Sequence, residues 1–74
     1  MNPTYDVQFG KNIRNLRKSA RMTQEELATK LQLCGCDITR SALAKIEVGQ
    51  RHIYPDEIKL VKEILNVDYN DLFI

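Results

Sequence analysis

Residues 31–47 read LQLCGCDITRSALAKIE, and the architecture of the whole chain turns on how that stretch is parsed. Upstream, Leu27, Ala28 and Leu31 recur at the spacing of one helix face. Downstream, Leu43 and Ile46 lie one turn apart, with Ala44 beside them. Between the two patterns, Gly35 suits the left-handed residue that stops a helix. Thr39 carries the side-chain oxygen that starts the next one. The stretch is therefore two helices and a connector. The second runs from Arg40 to Val48 and stops at Gly49, too short to be stable without its neighbours.

The flanks extend the same pattern. Thr23 and Glu26 form a capping box that opens the helix ending near Leu33. Before it, Phe9, Ile13, Leu16 and Ala20 give one face of a helix over about 6–20, capped by Asp6, with Lys11, Arg14, Asn15 and Lys18 opposite. After Gly49, Gln50 to Tyr54 form a loop. Pro55 then suits the first turn of a fourth helix, whose stripe is Ile58, Val61, Ile64 and Leu65. Asn66-Val67-Asp68 breaks it, and Asp68 caps a last turn over Tyr69 to Phe73. Five helices and no strand predict a compact all-α domain spanning 1–74.

Composition narrows the function. Hydrophobic content of 43% and charged content of 28% are those of a globular chain. No apolar run approaches the ~20 residues that span a bilayer, and MNPTYDVQF lacks an export pattern, so the expected location is the cytoplasm with no membrane partner. Cys34 and Cys36 are too close for a relaxed disulfide and are expected as reduced thiols. They and the lone His52 fall short of zinc's four ligands, so no metal or other cofactor is expected. No nucleophile-base spacing or phosphate-cradling glycine loop occurs, which excludes the common enzyme classes. Tyr5, Tyr54 and Tyr69 are widely spaced and read as anchors in a core or interface. Residues 1–54 hold nine Lys/Arg against five Asp/Glu, and residues 55–74 two against five. The first part is the better partner for a polyanion.

Taken in order, LRKSARMTQEELATKL, SALAKIEVGQR and LNVDYNDLF resemble the phage-repressor/Cro-type, XRE-like helix-turn-helix family, over about Phe9 to Phe73. The resemblance implies a five-helix repressor-like domain that binds double-stranded DNA and regulates transcription, most simply as a repressor. It makes the helix near 40–48 the recognition helix, with Arg40, Ser41, Ala42 and Lys45 at the base-reading surface. The physics agrees: the major groove admits one braced helix with polar outer residues. The resemblance places Gln24 on a DNA phosphate at a helix N-terminus, with Thr39, Gln50 and Arg51 also along the backbone. It pairs Arg17 with Glu47 as a structural ion pair. One such helix reads few base pairs, so a homodimer on paired half-sites is expected. The alternative is a protein-interaction module on the same fold, such as an antitoxin or a regulator's antagonist.

The departure from the family lies in the opening stretch. The usual turn of ~3–4 residues is lengthened by about five between the second and third helices. Two conformations are open. The second helix runs on, with Leu33 and Ile38 folding back as a plug, or the loop reaches the DNA backbone. The apolar character of Leu33, Cys34, Cys36 and Ile38 favours the plug.

Overall fold

The computed structural model describes residues 3–73, with side chains from residue 5 to 73. Five helices follow one another: α1 (Pro3–Ser19), α2 (Gln24–Leu33), α3 (Arg40–Glu47), α4 (Pro55–Leu65) and α5 (Tyr69–Leu72). No strand occurs among the described residues. Helix α1 packs on α3 and α5, and α2 packs on α3 and α4. Ile13, Leu27, Leu31, Ile38, Leu43, Val61 and Leu72 are fully enclosed where these faces meet. Ile74 lies outside the described residues.

Four of the helices end the same way. After α2, Gly35 takes φ +85°, its amide donates to Gln32, and the Cys36 amide donates back to Leu31. That is a Schellman stop, which satisfies carbonyls otherwise left open at a helix C-terminus. Gly49 closes α3 in the same way, with Gln50 donating to Lys45. Arg21 and Asn66 close α1 and α4 from the same left-handed region, at φ 57° and 56°. The capping box is also present: Thr23 Oγ1 accepts from the Glu26 amide, and a Glu26 carboxylate oxygen accepts from the Thr23 amide.

Several expectations are corrected. Helix α1 begins at Pro3, so Asp6 sits within the first turn and does not cap it. Ala20 is exposed because the helix ends at Ser19 and Arg21 reverses the chain. The rest of the expected face holds, with Ile13 fully enclosed and Phe9 and Leu16 half-buried against the core, and α1 also buries Gly10, Asn12 and Arg17. Asn12 is held inside because its amide donates 2.8 Å to the Leu72 carbonyl, tying α1 to α5. Gly10 is required there by close approach. A Cβ on it would collide with the carbonyl oxygens of Ile46 and Glu47, so the end of α3 rests directly on the α1 backbone. Tyr5, Tyr54 and Tyr69 are exposed and anchor no part of the core.

The lengthened turn settles into one of the two conformations, with a change of residues. Ile38 is fully enclosed and Cys36 is buried, while Leu33 is 83% exposed and Cys34 is exposed. The plug is therefore Cys36 and Ile38. Leu33 follows the fully enclosed Leu31 by two residues, so two helical steps of about 100° carry it to the solvent side.

Candidate nucleic-acid interface

Helix α3 is capped by Thr39, whose hydroxyl accepts from the Ala42 amide at 3.1 Å. That spends the Thr39 oxygen on the helix start, although the residue stays exposed. From the cap onward, Leu43, Ile46 and Glu47 turn inward, and Arg40, Ser41 and Lys45 turn out and are exposed. Ala42, placed outward by the sequence, is half-buried and packs against the core. The free surface of α3 thus carries two cations and a hydroxyl, with Ala42 at its margin.

The far end of α3 is fixed by a buried cluster. Arg17 donates to Glu47 through Nε at 2.7 Å and through its terminal nitrogen at 3.0 Å. The two side chains are only 8% and 1% exposed. Arg17 also donates to the Met22 carbonyl at 2.8 Å. Gln24 adds a third donor to the carboxylate, at 3.0 Å to Oε1. The Gln24 amide, expected on a phosphate, therefore spends one of its two N–H groups inside the protein. Among the described residues no buried side-chain nitrogen or oxygen lacks a partner. This network joins α1, the start of α2 and the end of α3, so the outer face of α3 is presented from a rigid mount.

Arg17, Thr23, Gln24, Glu25 and Arg40 line one open cleft. It lies between the N-termini of α2 and α3, where free backbone amides concentrate partial positive charge. Glu26 sits at the same end of α2, where the amide and hydroxyl of Thr23 hold its carboxyl below the usual range.

The loop after α3 divides its residues. Gln50 is exposed. Arg51, placed on the DNA backbone by the sequence reading, makes two 3.1 Å bonds to the Glu57 carboxylate and a third to the His52 carbonyl. The fork joins the loop to the first turn of α4, and no helical period links those two positions. Burial pushes the Glu57 carboxyl up, but the Arg51 bonds and the Tyr54 amide outweigh it, and the net shift is downward. His52 Nδ1 lies 3.5 Å from Asp6 and packs edge-on against Tyr54. Cys36 faces the same region: burial and the nearby Glu57 charge push its thiol up. Among the described residues no group of three or more metal-capable side chains gathers, and no helix is long and apolar enough to cross a membrane.

Comparison with known proteins gives this geometry its context. The family profile HTH_3, described as helix-turn-helix, matches residues 13–72. Control protein C.BamHI of Bacillus amyloliquefaciens is 35% identical over 65 residues, covering 86% of this chain and 74% of that protein. The crystal structure of the restriction-modification controller protein C.AhdI from Aeromonas hydrophila superposes with a TM-score of 0.82. It is 30% identical, and 96% of each chain is covered. The DNA-binding domain of BldD superposes at 0.84 over the full length of both chains, with 18% identity, a likeness of fold alone.

Proposed function

This chain belongs to the helix-turn-helix family of DNA-binding transcriptional regulators, and we propose that it acts by seating α3 in the major groove of an operator. One observation carries the reading: the exposed Arg40, Ser41 and Lys45 project from a helix whose other face is locked by Glu47, Arg17 and Gln24. A braced helix places polar groups against base edges at fixed depth. Arg40 and Lys45 are the donors suited to guanine O6 and N7, each good bidentate contact being worth ~1–3 kcal/mol of discrimination.

The cleft shared by Gln24 and Arg40 is the proposed phosphate seat. Gln24 would offer its second amide N–H there, beside the free amides of α2. Thr39 and Gln50 flank the same helix at its two ends and complete the backbone set, while Arg51 mainly holds the loop to α4. Repression follows if the bound protein covers a promoter, and a homodimer on paired half-sites supplies the missing base pairs. The similarity to control protein C.BamHI and to the restriction-modification controller protein C.AhdI supports a regulator of this kind. A cytoplasmic location and the absence of catalytic activity belong to the same proposal.

Selection of bound duplexes from a random library tests it, with Arg40→Ala and Lys45→Ala in parallel. The expected result is a short, palindromic site that each substitution blurs at its own positions. Affinity should fall steeply as salt rises, through counterion release. An enriched pool identical for wild type and both variants would remove α3 from the reading role. The absence of any salt-sensitive DNA affinity would favour the protein-interaction module instead.

A further inference from the structure

Helix α3 is mounted at both ends, and the two mounts differ. Its C-terminal end is held by the Glu47 cluster described above. Its N-terminal end follows the six residues between Leu33 and Arg40. The Schellman bonds tie down the first half of that connector, Cys34 to Cys36, by backbone alone. In the second half, Thr39 is tied forward to α3, its carbonyl accepting from the Leu43 amide, and the Ile38 backbone meets the Cys36 thiol. The Ile38 carbonyl precedes the cap residue Thr39, so it lies outside the intrahelical bonding of α3. There Gln32 intervenes: its Nε2 donates to the Ile38 carbonyl at 3.0 Å. The bond runs from the last turn of α2 across the neck of the turn, to the residue before the cap.

We propose that Gln32 is a positioning residue for base reading, and that its bond to Ile38 sets the pose of the N-terminal half of α3, where Arg40 lies. The proposal rests on α3 being the reading helix. Without the bond, Ile38 still plugs the core through its side chain, which is fully enclosed. The backbone from Asp37 to Thr39 gains freedom to pivot, and Arg40 pivots with it. Only the fraction of molecules in the groove-competent pose then reads the site, which weakens specific affinity in proportion. Lys45 sits two residues before Glu47, close to the other mount, and keeps its register. The lengthened turn is therefore a latched strut, and the latch residue is an exposed glutamine on α2, outside the base-reading face of α3.

The test uses the full chain with Gln32→Met, Gln32→Glu and Gln32→Lys. Met and Glu keep most of the length and lose the donor, while Lys keeps a donor that reaches the carbonyl. Each is measured against the duplex most enriched in selection and against a scrambled duplex of the same composition, so that the ratio cancels changes in net charge. The ratio is expected to fall roughly three- to tenfold for Met and Glu, the scale of one hydrogen bond, and to be retained by Lys. In selection, the Met variant should blur the positions that Arg40→Ala blurs and spare those that depend on Lys45. Unchanged ratios for Met and Glu, no recovery with Lys, or equal blurring at both sets of positions would each overturn the proposal. A wild-type pool that Arg40→Ala leaves untouched would instead overturn the reading role of α3, which is a separate failure.

Discussion

Glu47 is a carboxylate almost wholly withdrawn from water, and three N–H donors from Arg17 and Gln24 compensate for the lost solvent. Such a pair is weak evidence of net stabilisation, because burying both charges costs about as much as their attraction returns. Breaking it is another matter, since one charge is then left buried alone. Arg17→Ala and Glu47→Ala should each lower unfolding free energy by ~3–5 kcal/mol in urea titrations. The double variant should cost well under the sum, because each single change already strands its partner. Additive losses would mean that the two side chains act independently of each other. The pair is a scaffold device: it spends Arg17 of α1 inside the protein and leaves DNA to other cations.

At the level of the elements, the connector between α2 and α3 is the informative one. Its apolar residues look alike in composition and are sorted oppositely by geometry. Ile38 lies where the chain returns to the core before the α3 cap, and Leu33 lies on the outer side of the last turn of α2. Ile38→Ala should therefore lower stability by ~2–4 kcal/mol through lost burial and a residual cavity. Leu33→Ser should stay within about 0.5 kcal/mol, as for a surface change. Both are read from chemical denaturation midpoints at constant slope. A costly Leu33→Ser would show that the outer leucine is covered in solution. The turn thus enlarges the core by Cys36 and Ile38 without adding a helix.

Across the whole molecule, charge decides both what faces the groove and how stability responds to pH. Two of the arginines are tied to carboxylates, Arg17 to Glu47 and Arg51 to Glu57, and Lys62 lies over the Tyr69 ring at 5.1 Å. Exposed Lys11, Arg14, Lys18, Arg21, Lys30, Arg40 and Lys45 remain on the basic first part of the chain. The Glu57 carboxyl titrates lower in the folded chain than in the unfolded one. Its contribution is therefore complete above the ordinary glutamate range and is lost as pH falls through its folded value. Urea midpoints taken from neutral pH downward should drop through that acid window, and Glu57→Gln should flatten the drop while lowering stability at neutral pH. An unchanged acid limb in that variant would detach the Arg51–Glu57 fork from stability.

The local grammar of the fold was written in the sequence. Thr23, Thr39, Gly35 and Gly49 start and stop helices through bonds that span a few residues, so their identity is enough to place them. The outward set Arg40, Ser41 and Lys45 followed from the 3.6-residue period once Leu43 and Ile46 were assigned inward, and only Ala42 drifted to the core side. The Arg17–Glu47 pair came through family resemblance, since nothing local joins residues thirty positions apart. What tertiary structure alone decided was how each side-chain donor is spent: Gln24 on Glu47, Gln32 on Ile38, Arg51 on Glu57, Asn12 on Leu72. It also chose Cys36 over Leu33 as the plug. Those outcomes depend on where separate helices come to rest against one another, and periodicity within one helix carries no information about that.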